Sequence, residues 1–207
     1  MNLYQMVLGD MEDAMKIQEC PFCFLDLIIE ETYFKRLLNN VLDEDYREEW
    51  NKGGGLCPEH ALMLLNKGSA TGHAILYQDL IENWKNIWLE GNFNCPACER
   101  IESNFISSKK AFIWGIKNAP SFKKRFQNSA GLCRKHFVRV YEGLDTDLAD
   151  LLLKVQEKAF LDLNNQLELL LRQHDYNYQE KKDTKAARSW RKAARYWGGG
   201  TEKKWRF

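Results

Sequence analysis

Six cysteines and two histidines fall into four short motifs, and those motifs are where the chemistry of this chain must lie. "CPFC" spans Cys20 to Cys23 and "CPAC" spans Cys95 to Cys98. "GLCPEH" spans Gly55 to His60 and "GLCRKH" spans Gly131 to His136. Cys20 precedes Cys57 by 37 positions, and Cys95 precedes Cys133 by 38. All six cysteines are consumed in this way, and two of the four histidines take equivalent places. Matched order at matched spacing marks a tandem duplication.

Two chemistries compete for a CPxC run. Disulfide exchange needs a strand, the CPxC turn and a helix inside a βαβ unit. Here Met11 to Glu19 reads as helix, and an exchange enzyme gives no reason for GLCxxH to recur behind each CPxC. A structural zinc site does, because zinc closes a tetrahedron with Cys3His. CPxC offers two thiolates from one turn; CxxH offers a thiolate and an imidazole three residues apart, on one side of a helix. Pairing within each repeat is the simpler expectation: Cys20, Cys23, Cys57 and His60 as one site, Cys95, Cys98, Cys133 and His136 as the other. An exchange, such as Cys20 and Cys23 with Cys133 and His136, stays open. The expected cofactor is Zn2+, two per chain, with an iron–sulfur cluster carrying one His ligand as the lesser alternative. A closed Cys3His site has no position for substrate, so its role is structural. A hybrid also stands: thiolates that release zinc on oxidation would make the chain a thiol-based redox or metal sensor.

The elements that must position these motifs read as helices. Phe24, Leu27, Ile28, Phe34, Leu37, Leu38 and Val41 follow the first CPxC at three- and four-residue steps, and Ile101, Phe105, Phe112, Ile113 and Ile116 follow the second until Pro120 interrupts. Pro21 and Pro96 suit a first helical turn. Each GLCxxH opens another helix after a break at Gly53 to Gly55 or Ser129 to Gly131. Further helices are expected from about His73 to Leu89 and from about Asp147 to Arg172. The second carries Leu148, Leu151, Leu152, Val155, Ala159, Leu163, Leu167 and Leu170 on one stripe, with Asp145 or Thr146 as its cap. No alternating strand pattern occurs. The expectation is an all-α chain of two duplicated helical halves, residues 1–92 and 93–174, with a C-terminal extension at 175–207.

The remaining polar residues read plainly. His73 suits a cap or a satisfied core position, and His174 a helix C-terminus. The carboxylates Glu30, Glu31, Asp43 to Asp45, Glu48 and Glu49 read mostly as solvated faces. No ExxH, GxSxG, P-loop or GxGxxG occurs, so no motif argues for an enzyme.

Composition sets the outer bounds. The chain has 207 residues, 44% hydrophobic and 29% charged, with a mean hydropathy of −0.53. No apolar run reaches the roughly 20 residues of a membrane span, and the N-terminus lacks a basic start followed by an apolar stretch. The expected location is cytoplasmic, where thiols stay reduced. Residues 181–207 hold ten of the 30 Lys and Arg but only two of the 29 Asp and Glu. The tail therefore carries a net charge of +8 and the first 180 residues one of −7. Trp190, Tyr196, Trp197, Trp205 and Phe207 interleave with the tail's cations. That mixture suits a nucleic-acid partner, a protein partner or an anionic membrane surface. It also suits a short helix whose Trp190, Ala193, Ala194 and Trp197 face packs on the acidic body, leaving the last seven residues mobile beyond the glycines.

With these residues in view, the chain resembles an uncharacterised prokaryotic family with no established function. Members are similar in a CPxC near the N-terminus, a G-[LF]-C-x-x-H about 35 residues later, and a second copy of both. They are also similar in a DYxY-like run, here Asp175 to Tyr178, and an SWRxA run, here Ser189 to Ala193. The resemblance implies the duplicated ligand set and places the SWRKA segment within the fold. It implies no activity.

Overall fold

The computed structural model describes residues 3–91, 93–173 and 184–201. Ten α-helices account for most of these residues, and no strand occurs among them. The fold class is all-α, as the periodicity predicts. In chain order the helices are α1 (Leu3–Lys16), α2 (Pro21–Asn39), α3 (Glu44–Gly53), α4 (Pro58–Leu65), α5 (Ala70–Glu82), α6 (Pro96–Asn118), α7 (Pro120–Gln127), α8 (Arg134–Tyr141), α9 (Thr146–Gln173) and α10 (Ser189–Gly198). Local chemistry explains their ends. Pro21, Pro58, Pro96 and Pro120 each occupy a first helical position, where a missing N–H costs nothing. Asp43, expected on a solvated face, caps α3 by accepting the N–H groups of Asp45 and Tyr46. Asp145 caps α9 by accepting from Leu148 at 3.0 Å. The helix expected from His73 to Leu89 starts earlier and ends at Glu82. Asn83 turns its amide back onto the Asp79 carbonyl at 3.0 Å, and a single π-helical turn follows at Asn86–Glu90. His174 and the run Asp175 to Tyr178 lie outside the described residues, as do the last six.

The chain forms two compact units, one of Met1–Leu27 with Ser107–Phe207 and one of Ile28–Ile106. These units are not the sequence repeats. The discontinuous unit holds CPFC of the first repeat and GLCRKH of the second; the other holds GLCPEH of the first and CPAC of the second.

In the discontinuous unit the core is aromatic. Phe112 meets Phe126 edge-on at 4.9 Å and Phe22 at 5.5 Å, with Phe122 beside it at 5.9 Å. Met11, Ala14 and Met15 of α1 and Leu152, Val155, Ala159 and Leu163 of α9 complete its buried surface. In the continuous unit Trp50 is fully buried among Phe34, Leu37, Leu64 and Leu76. Its indole N–H donates to the Leu76 carbonyl at 2.8 Å, so the buried ring leaves no polar atom unpaired. Arg47 grips the buried carboxylate of Asp79 through two nitrogens. His73 is a satisfied residue, as expected: its ring nitrogens lie 2.8 Å and 3.1 Å from the carbonyls of Ser69 and Leu64.

The C-terminal helix docks, but not by the expected face. Ser189, Ala193 and Tyr196, not the tryptophans, turn inward, with Ala193 and Tyr196 packing on Ala130, Leu163 and Leu167. The Tyr196 hydroxyl donates to the Ala130 carbonyl, and Phe160 meets its ring edge-on. A phenol can bury its ring and still satisfy its O–H here. Trp190 and Trp197 remain 54% and 65% exposed.

Candidate metal centres

Each of the four motifs builds the same local object, the first turn of a helix. Cys57 and Cys133 are the N-caps of α4 and α8, and Cys20 and Cys95 precede α2 and α6. The carbonyl of each accepts the first helical hydrogen bond, at 2.8–3.1 Å. Three residues on stand Cys23, Cys98, His60 and His136. Positions N-cap and N3 face one another across a first turn, the geometry that a capping box exploits. The helix N-terminus also places partial positive charge beside the thiolates.

The eight predicted residues gather into two groups of four. Cys20, Cys23, Cys133 and His136 form one; Cys57, His60, Cys95 and Cys98 form the other. The expectation of pairing within each repeat is therefore not met; the motifs pair across repeats. In each repeat the CPxC turn opens a long helix, α2 of about 28 Å or α6 of about 34 Å, and a shorter one, α3 of about 15 Å or α7 of about 12 Å, precedes the GLCxxH turn.

In the first cage the Nδ1 of His136 lies 3.6, 3.4 and 3.3 Å from the sulfurs of Cys20, Cys23 and Cys133, and the Cys23 and Cys133 sulfurs are 3.5 Å apart. In the second, His60 Nδ1 lies 3.2, 3.4 and 3.4 Å from Cys57, Cys95 and Cys98, and the Cys57 and Cys98 sulfurs are 3.8 Å apart. Ordinary zinc bonds of about 2.3 Å to sulfur and 2.0–2.1 Å to nitrogen give tetrahedral edges of about 3.8 Å (S···S) and 3.6 Å (S···N). Both cages fit one such ion. The sulfurs are far beyond the roughly 2.05 Å of a disulfide, and all six cysteines are free thiols.

Behind each imidazole stands a carboxylate that the sequence reading missed. His60 Nε2 lies 3.1 Å from Glu30 Oε1, and His136 Nε2 lies 3.3 Å from Asp26 Oδ2. A carboxylate there fixes the tautomer and leaves Nδ1 for a metal. Glu30 does not sit on a solvated face: it is 1% exposed. The available signal was its place on the α2 stripe, seven residues from Cys23 and from Leu37. Asp26 and Glu30 lie three and seven residues past Cys23. The residues at those places past Cys98 are Ile101 and Phe105, both buried and apolar. Ligands were duplicated; their carboxylate partners were not.

Charge in the cages is arranged around the imidazoles. Burial pushes His136 down, but Asp26, Cys133 and Cys20 more than offset it and lift the ring to about 11. His60 is likewise pushed down by burial and lifted to about 10 by Cys95, Glu30 and Cys57. Cys133 is held far below an ordinary thiol by Cys20 and Cys23, against burial and with help from His136. Cys95, raised by burial, falls to about 6 because His60 and backbone N–H groups favour its thiolate. Crowding acts the other way on Cys23, raised chiefly by Cys133, and on Cys98, pushed to about 12 by burial and Cys95. A cation shared by all the sulfurs would relieve that crowding.

Two glycines set the approach of the motifs. Gly53 lets the CPAC turn come close: a side chain there would meet the Pro96 ring and the Asn94 carbonyl at 2.8 Å, and Asn94 N–H donates to the Gly53 carbonyl at 3.1 Å. Gly131 has φ +72° and leaves room for the Gln156 side chain of α9, whose oxygen accepts from Leu132 N–H at 2.9 Å. The C-terminal segment closes over the first cage, where the Gly200 N–H donates to the Cys23 sulfur at 3.2 Å.

No solved structure matches the chain. An "Uncharacterized 23.9 kDa protein in xynA 3'region" from Caldicellulosiruptor sp. (strain Rt8B.4) is 28% identical over 202 residues, covering 91% of this chain and 99% of that protein. A family described as "Family of unknown function (DUF6062)" matches twice, over residues 2–91 and 79–204. Together these matches take in nearly the whole chain and fall on its two halves, so the chain belongs to the DUF6062 family.

Proposed function

We propose that this protein is a zinc-stapled helical scaffold that works by binding a partner. The observation that carries this reading is the pair of four-atom cages, whose edges suit one tetrahedral ion each. Each zinc would clamp two helix N-termini drawn from opposite repeats, so metal binding would be part of folding. Zinc is favoured over a multi-iron cluster because the four ligand atoms of each cage lie within 4.8 Å of one another, which suits a single ion. Three thiolates with one imidazole, braced by a carboxylate, are zinc's ordinary structural company. Elemental analysis of the purified chain is the test. Two zinc per chain is the expected result; a metal-free, fully folded protein with reactive thiols would overturn the reading.

One observation favours a second reading, a thiol-based sensor. Cys98 is exposed while its cage partners His60 and Cys95 are buried. A hydroperoxide could take the Cys98 thiolate to a sulfenic acid, releasing hydroxide or alkoxide. Cys57, 3.8 Å away, could then displace hydroxide to form a disulfide, freeing the zinc. Peroxide-driven loss of one zinc, reversed by a dithiol with zinc present, would establish this reading.

A further inference from the structure

The outward face of α10 has no part in the metal cages. Trp190 and Trp197 stand seven residues apart, two turns along one side, so their rings are separated by about 10.5 Å of helix axis. Both are more than half exposed, and the Arg191 guanidinium lies over the Trp190 ring at 5.1 Å. Residues 184–201 contain Lys185, Arg188, Arg191, Lys192 and Arg195 and no acid. Among the described residues none of these five cations belongs to an ion pair. Lys192 lies over the docked Tyr196 ring and, with Arg195, lines the pocket beside Cys20 and Cys133, so the exposed cations are Lys185, Arg188 and Arg191. Docking is already accomplished by Ser189, Ala193 and Tyr196, so packing does not explain the tryptophans.

We propose that this face binds single-stranded nucleic acid, the indoles stacking on bases and the surrounding cations meeting phosphates. Exposed aromatics on a cationic surface are the elements of a sequence-tolerant single-strand platform. A duplex keeps its base faces stacked away from such rings. A helix lying in a membrane needs a broad bulky apolar stripe; here the outward side offers two indoles and Ala194, flanked by arginines. The net charge of −7 on the first 180 residues repels a polyanion from the rest of the chain and directs it to this end.

This inference rests on the scaffold reading by naming its partner, and one set of samples tells the two apart. Full-length protein, its metal content measured, is titrated with a fluorescein-labelled oligo(dT) of about 15 nucleotides, a length within the usual single-strand site sizes. Anisotropy and tryptophan quenching are read at several salt concentrations. Saturable binding with quenching is expected, with log K falling against log salt by about 0.7 per phosphate met. Trp190→Ala with Trp197→Ala weakens binding about tenfold or more at unchanged metal content, and Arg188→Gln with Arg191→Gln makes the salt slope shallower. The proposal is overturned by no binding at about 50 mM salt, by equal binding of the double tryptophan variant, or by tighter binding to the matched duplex or to phosphatidylserine vesicles. Two zinc without oligonucleotide binding defeats only this proposal; oligonucleotide binding by a folded, metal-free chain defeats only the scaffold reading.

Discussion

The two cages share a ligand set, with a carboxylate and a phenylalanine beside each imidazole, and differ in exposure and cover. In the cage of Cys20, Cys23, Cys133 and His136, two cysteines and the histidine are buried and only Cys20 is partly exposed. Phe22 packs against its imidazole at 5.5 Å, and Gly200 donates to one of its sulfurs. In the cage of Cys57, His60, Cys95 and Cys98, Cys57 is partly exposed like Cys20, and Cys98 is exposed outright, while the histidine is held by a fully buried glutamate. A duplication reproduces the eight ligand residues, but the cover of the first cage comes from unrepeated chain, α10 and the glycines after it. The first cage is built to be kept closed, and the second to stay within reach of solvent.

That contrast can be broken most directly by removing one cage at a time. Cys133→Ser and Cys98→Ser should each lower zinc from two per chain to one. The Cys133 variant should lose more stability, because its cage lies against the aromatic core. Stripping both metals should lower the melting temperature by about 20 °C or more, given the roughly 10 kcal/mol a structural zinc contributes. Equal melting points for the two single variants would erase the distinction between the cages.

Metal release offers the next largest effect. Zinc transfer to a chromogenic chelator should occur in two phases differing by about tenfold or more, as accessible thiolates exchange faster. The fast phase should vanish in Cys98→Ser. A single phase in the parent protein would mean that the exposure of Cys98 has no kinetic consequence.

The carboxylates sharpen the comparison further. Glu30→Gln should weaken metal binding at the His60 cage alone, and Asp26→Asn at the His136 cage alone, each by about 10- to 100-fold. The first change should be larger, because Glu30 is nearer its imidazole and more deeply buried than Asp26. Competition with a calibrated zinc indicator measures both.

The smallest effect belongs to the cover of the first cage. Tyr196→Phe removes the hydrogen bond to Ala130 and should cost about 1 kcal/mol, read as a small drop in melting temperature and a faster slow phase. If the slow phase is unchanged, α10 does not protect that cage.

Much of this was legible in the sequence because it depends on residue type and short spacing. The four motifs, the helix after each, the α9 stripe and the Asp145 cap all follow from patterns a few residues long. Ligand pairing was not legible, since matched spacing along the chain suits pairing within a repeat and across repeats equally well, and only the fold decides which turns meet. Asp26 and Glu30 were hidden for another reason. Carboxylates are common on helix surfaces, and only the depth of the stripe they share with Cys23 and Leu37 sets them apart. The face of α10 was misread because two tryptophans outweigh one tyrosine in apolar area, whereas the docked position needed a hydroxyl to meet a buried carbonyl.

Pairing across repeats also speaks to ancestry. One repeat on its own would carry two half-cages, a CPxC turn and a GLCxxH turn, each of which here pairs with the other repeat. Two copies supply two whole cages by exchanging halves, and fewer than two supply none. A precursor of one repeat would then have needed a second copy to complete either group of four. Gene fusion would have freed the two cages from identity, and the carboxylates confined to α2 and the C-terminal cover would be the marks of that release.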